Sequence, residues 1–279
     1  MITYPPIIDS ISAVKLRDEI KQFHPLKSNG FTTNKWIGIH DEPENTIEKY
    51  IQDSYDFYIS KSILSNTLVK GFEWCIYLMT SENTGIPLHC DHDEKIRENK
   101  EGTMVYPLCS TITYLTNNLN PDIIFNTQGG EHVDELIEFP PSEAYFSLPE
   151  EGKFVTFDSR YIRGVYSGDN EGRITLCYSV WHYKPDGLDR VGIVSKPFDC
   201  RFYKRNECQP VTWLGGTKNL NRVGIPTAGF DCHFYKRQAS SPTPWLGDIG
   251  RSTMNLWDKT FTKHQPISYN SGETWKVIQ

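Results

Sequence analysis

Apolar residues recur at near-helical intervals between Ser10 and Phe23, at Ile11, Val14, Leu16, Ile20 and Phe23, behind a Ser10 able to cap a first turn; this spacing predicts an amphipathic helix. A second helix is predicted from about Glu42 to Leu64. Asn45-Thr46 offers its start, and Ile47, Tyr50, Ile51, Tyr55, Tyr58 and Ile59 form its apolar stripe, where tyrosines are core residues more often than cofactor contacts. At Glu73-Trp74-Cys75-Ile76-Tyr77-Leu78-Met79 the period drops to two, which predicts a strand feeding a turn at Gly85. Met104 to Leu115 is the next strand region. Between them His92 to Glu101 is dense in charge and reads as a solvated loop or short helix. Gly129-Gly130-Glu131-His132 suits a glycine-mediated strand corner, and Pro185-Asp186-Gly187 is a turn that closes the β-rich part.

Beyond that turn the pattern repeats. Arg190-Val191-Gly192-Ile193, Phe198-Asp199-Cys200, Phe202-Tyr203-Lys204-Arg205 and Trp213-Leu214-Gly215 return as Arg222-Val223-Gly224-Ile225, Phe230-Asp231-Cys232, Phe234-Tyr235-Lys236-Arg237 and Trp245-Leu246-Gly247, a period of 223 − 191 = 32 residues. The chain therefore divides into a β-rich domain over 1–189, tandem repeats over 190–253 and a polar C-terminal strap over 254–279. Two copies rich in Gly and Pro are expected to form short hairpin-like units leaning on the first domain. Their Phe-Tyr-Lys-Arg runs suit a peptide, a polyanion or a partner chain, and suit plain packing equally well.

Composition narrows the function classes. The 29 basic and 35 acidic residues give a formal charge of −6, which argues against broad attraction to nucleic acid or to an anionic membrane. No stretch has the length of a membrane span, no charged-then-apolar leader opens the chain, and seven cysteines suit reduced thiols better than a disulfide framework. A cytoplasmic protein is expected. Cys200, Cys208, Cys232 and His233 lack the paired Cys-x-x-Cys spacing of a structural zinc site.

The chemistry centres on Thr84-Gly85-Ile86-Pro87-Leu88-His89-Cys90-Asp91. Side chains two apart on a strand point the same way, so His89 and Asp91 can converge on one ion, as two thirds of the 2-His-1-carboxylate set of non-haem iron enzymes. Downstream follow Ser110-Thr111-Ile112-Thr113-Tyr114-Leu115, Gly129-Gly130-Glu131, Gly152-Lys153-Phe154-Val155-Thr156-Phe157-Asp158, Arg163-Gly164-Val165 and Gly172-Arg173-Ile174-Thr175-Leu176. In order and spacing, Phe72 to Tyr183 resembles the prolyl-4-hydroxylase-like branch of the Fe(II)/2-oxoglutarate-dependent oxygenases.

That resemblance implies a mainly β fold with flanking helices (α+β), built on a double-stranded β-helix, or jelly-roll barrel. It implies iron at His89 and Asp91, 2-oxoglutarate held at Arg173 with Tyr114 and Tyr77 as further contacts, O2 as co-substrate with ascorbate as an auxiliary reductant, and hydroxylation of a peptide or an amino-acid-like molecule. Tyr77 reads equally well as a half-buried strand tyrosine. The chain departs from the family at one landmark: Ile162-Arg163-Gly164-Val165 stands where the family has x-His-Gly-Val. A guanidinium stays protonated and has no lone pair to give, so Arg163 is no iron ligand. Three outcomes follow. The iron is held by His89 and Asp91 alone with Arg163 clamping an anionic substrate; or His92, His132 or His182 completes the set; or the barrel is an inactive binding protein whose repeats contact a partner. Halogenation is disfavoured, since such enzymes give up the carboxylate that Asp91 supplies.

Overall fold

In the computed structural model the described residues are 8–23, 34–60, 68–80, 85–99, 102–118, 121–132, 135–137, 143–147, 149–165, 171–192 and 194–202, with four further short strands at 2–4, 232–237, 267–268 and 274–277. Most of the two repeats and of the C-terminal strap lies outside them.

The first helix, α1 (Ser10–Phe23), begins where expected, but Asp9 caps it, its carboxylate accepting from the Ser12 amide at 2.7 Å. Its buried face is also offset from the predicted one. Ala13, Leu16 and Ile20 are buried, while Ile11 and Val14 face out, because the i, i+3, i+7 row through Ala13 is the one that meets the sheet. After β2 (Lys35–Gly38), helix α2 (Thr46–Ser54) starts at the predicted Asn45, whose side chain accepts from the Glu48 amide at 2.9 Å; Glu48 reaches back to the Glu44 amide at 2.8 Å. A π-helical turn, Tyr55–Ile59, continues it. The tyrosines of this segment are core: Tyr50 bonds Thr113 at 2.9 Å, and Tyr178 bonds Ser54 at 2.9 Å.

The strands that follow are β3 (Gly71–Leu78), β4 (Ile86–His89), β5 (Cys109–Tyr114), β6 (Asp122–Gly129), β7 (Leu136–Ile137), β8 (Glu143–Ser147), β9 (Phe154–Phe157), β10 (Tyr161–Val165) and β11 (Ile174–Trp181), with a short helix α3 (Glu94–Asn99) after β4. With β1 (Ile2–Tyr4) and, at the C-terminal end, β12 (Cys232–Arg237), β13 (Ile267–Ser268) and β14 (Thr274–Val277), they make two antiparallel sheets, ordered β1-β9-β5-β11-β3-β2 and β13-β14-β12-β8-β6-β10-β4, with β7 beside β6. Strand β12 of the second repeat thus pairs with β8.

Alternation along β3 assigns its two faces. Phe72, Trp74 and Ile76 pack with α1, α2, Leu176, Tyr178 and Val180 on the outside of the six-stranded sheet. Cys75 and Tyr77 point between the sheets, where Ile112, Tyr114, Val155, Phe157 and Cys177 meet Ile124 and Tyr161 of the second sheet. The result is a jelly-roll-like double sheet with helices on one outer face, as the mainly β expectation has it. No helix among the described residues is long and apolar enough to cross a membrane.

Candidate active site

His89 ends β4, and its strand partner on β10 is Arg163. The two strands close tightly because residue 164 is glycine. A Cβ there would come within 2.8 Å of the Ile86 carbonyl and 2.9 Å of the Leu88 side chain, and the register of β10 slips on either side of Arg163. Arg163 is thereby aimed at the residue that follows His89 by two.

Arg163 Nη2 donates to Asp91 Oδ1 at 2.9 Å, and Nε reaches Oδ2 at 3.4 Å. His89 Nε2 lies 3.6 Å from the same Oδ1. Arg163 is 4 % exposed and rests 5.5 Å over the Phe157 ring, so this is an interior ion pair. The Asp91 amide donates to the Ser159 carbonyl at 3.2 Å, which fixes the turn after β4. Burial alone would raise the Asp91 pKa, but Arg163, His89 and the Ser110 hydroxyl outweigh it and hold the carboxyl far below its usual range. Burial likewise works against the Arg163 charge, and Asp91 more than restores it.

These groups face a cavity of about 300 Å³ whose wall includes Tyr77, His89, Asp91, His92, Arg163 and the paired thiols Cys75 and Cys177. His92 sits in it with Nδ1 donating to the Cys90 carbonyl at 2.9 Å and Nε2 on the other side of the ring. That buried Nε2 has no hydrogen-bond partner among the described residues, although Glu94 Oε1 approaches it to 3.2 Å. His132 and His182 are exposed and do not line the cavity.

Arg173 and Tyr114 are elsewhere. Arg173, 1 % exposed, donates from Nη2 to Asp122, and the Tyr114 hydroxyl donates to the same carboxylate oxygen at 2.7 Å. Arg173 and Lys153 both lie 5.5 Å over the Tyr114 ring. The Ser147 carbonyl accepts from Tyr114 at 3.3 Å, while the buried Ser147 hydroxyl has no partner among the described residues. Of the residues singled out in the sequence, then, Tyr77, His89, Asp91, His92 and Arg163 share one cavity, and Arg173 and Tyr114 share a second polar cluster closed by Asp122.

Asp122 and Glu73 carry no motif. The one signal for Glu73 is a carboxylate within an apolar alternation. It also lines the cavity, accepting from Trp181 Nε1 at 2.8 Å, and burial pushes its pKa up to about 7. A carboxyl raised in the folded state binds a proton on folding, so its stabilising contribution is full below its unfolded pKa near 4.5 and is lost as pH rises through 7. Glu73→Gln is expected to remove a loss of up to about 3 kcal/mol between pH 5 and pH 8, read as urea midpoints of parent and variant at the two pH values. Equal pH dependence in both would place that carboxyl in water.

One imidazole nitrogen and one carboxylate, adjacent on a cavity wall, fit two ligands of a metal centre; no group of three His, Cys, Asp or Glu among the described residues is arranged to hold an ion. Among the described residues the donors fit a centre with two protein ligands. For a carboxylate, Arg173, the Tyr114 hydroxyl and the Ser147 hydroxyl are the right donors, with Asp122 already among them.

No family model matches the chain, and no curated protein matches it either. Solved structures do. A prolyl-4-hydroxylase from Pseudomonas putida is 14% identical over 63% of this chain and 89% of its own, with a TM-score of 0.41. HygX from Streptomyces hygroscopicus, solved with nickel and 2-oxoglutarate bound, is 12% identical over 71% and 92%, at 0.40. SnoN, a non-haem α-ketoglutarate-dependent epimerase from nogalamycin biosynthesis, is 9% identical over 76% and 90%, at 0.41.

Proposed function

We propose that the cavity is an oxygenase centre of the Fe(II)/2-oxoglutarate type in which His89 and Asp91 are the protein's two metal ligands, and that it hydroxylates an unactivated C–H bond of a peptide or an amino-acid-like substrate. The observation that carries the reading is the pairing of the His89 imidazole with the Asp91 carboxylate, 3.6 Å apart, on the wall of a cavity of about 300 Å³. Bound there, iron and 2-oxoglutarate would supply the oxidising power, the 2-oxoglutarate leaving as succinate and CO2.

The protein's part is positioning. Asp91 stays ionised at every ordinary pH, so no proton has to leave it before it can act as a ligand. Arg163 must share that carboxylate, which has lone pairs on both oxygens, or release it; a released guanidinium, still charged, becomes a clamp for an anionic group of the substrate. Arg173, Tyr114 and Ser147 take the far carboxylate of 2-oxoglutarate when Asp122 gives way. Glu73, Glu94, Arg97 and Asn34 on the cavity wall offer both charges and an amide, which suits a peptide or amino acid.

A second reading has its own observation. Arg163 on Asp91 and Asp122 on Arg173 satisfy, within the chain, the two charges that a metal and a dicarboxylate would otherwise meet. If both pairs are permanent, the cavity binds a ligand without oxidising it. Oxygen-dependent succinate release separates the two: the first reading expects it from the parent with Fe(II) and 2-oxoglutarate, and expects at least a roughly hundredfold loss in His89→Ala, since deleting one of two ligands leaves too few. No release from the parent favours the second.

A further inference from the structure

Cys75 and Cys177 stand directly opposite each other on the neighbouring strands β3 and β11. Both point between the sheets, both line the cavity, and both are free thiols. We propose that they form an oxidisable dithiol, a modification site that a peroxide entering the cavity converts to a cross-strand disulfide. The inference rests on this geometry and not on the oxygenase reading.

Directly opposed residues of an antiparallel pair have Cα atoms about 4.5 to 5.5 Å apart, inside the range of about 4.4 to 6.8 Å that disulfides span, so the bridge needs only side-chain rotation. Cys177 is buried and Cys75 half-buried, and the cavity they line gives a small oxidant access to both. The balance is 2 RSH + H2O2 → RSSR + 2 H2O. One sulfur, as thiolate, attacks a peroxide oxygen, the O–O bond breaks, and a sulfenic acid and water result; the second sulfur displaces the hydroxyl as a second water and the S–S bond forms. Each sulfur loses one electron and the peroxide gains two. Cys75 has its pKa pushed up to about 12 by burial, eased by Tyr77 and by the Arg163 charge, and burial beside Cys75 raises Cys177 as well. The thiolate is therefore scarce at pH 7, and oxidation is slow and steeply dependent on pH. Cys90, Cys109 and Cys200 also are free, but none of them faces a cysteine across strands.

The test exposes the full chain, native and at several pH values, to hydrogen peroxide, alkylates the remaining thiols, and maps peptides by mass spectrometry without reduction. A Cys75–Cys177 linked peptide is expected, reversed by dithiothreitol, absent from Cys75→Ser, and forming roughly tenfold faster per pH unit between 7 and 9. The site is overturned if either cysteine is oxidised singly with no link, if the link forms only after unfolding in guanidinium, or if its rate is flat in pH. The parent chain alone decides these outcomes, so a serine variant that fails to fold does not affect them.

Discussion

Arg163→His is expected to tighten Mn(II) binding by roughly one to two orders of magnitude and to slow turnover of the natural substrate. Two physical changes act together on the metal. The buried guanidinium that now holds Asp91 at 2.9 Å is removed, so the carboxylate no longer has a competing cation, and an imidazole with a lone pair appears on the strand partner of His89. The substrate loses its cationic clamp at the same position, which is why the second effect has the opposite sign. Isothermal titration with Mn(II) reads the first and succinate release reads the second. Unchanged metal affinity would mean that a residue outside this strand pair completes the centre, with the cavity-lining His92 the first to replace by alanine. Tighter metal together with faster turnover would remove the substrate role given to Arg163.

Asp122→Asn is expected to destabilise the fold by about 3 to 5 kcal/mol, because it leaves the Arg173 guanidinium buried without its carboxylate. Saturating 2-oxoglutarate should then recover part of the loss, since its far carboxylate supplies the missing partner; at a hundred times its dissociation constant the recovery is about 2.7 kcal/mol. Arg173→Ala, which strands Asp122 instead, should lose as much and recover nothing. Thermal melts of the two variants with and without 2-oxoglutarate, and with succinate as a dicarboxylate control, read the difference. Equal behaviour of the two variants would move the cosubstrate away from this cluster.

The architecture was legible where the pattern was local. Asn45-Thr46 marks the start of α2 and the two-residue period marks β3, whereas the jelly-roll-like double sheet is what the family resemblance implies and not what periodicity encodes. The buried row of α1 was not, since Ile11 and Val14 are as apolar as Ala13 and only the position of the sheet decides which row is covered. The site was legible in its residues but not in their partners. Arg163 and Asp91 are 72 positions apart and Arg173 and Asp122 are 51 apart, and each pair is made by strand register across the barrel. Asp122 lies at the edge of an apolar strand with no motif around it, and the facing of Cys75 and Cys177 depends on one register out of several. These are long-range consequences of sheet pairing, which periodicity along the chain does not encode.

The most direct measurement is the electron paramagnetic resonance spectrum of the parent chain with one equivalent of Mn(II) and excess 2-oxoglutarate, beside His89→Ala under the same conditions. A two-ligand centre at His89 and Asp91 is expected to quench the six-line signal of free Mn(II) in the parent and to leave it in the variant. A free-ion signal of full intensity in both would contradict it, and would leave Arg163 as the permanent partner of Asp91.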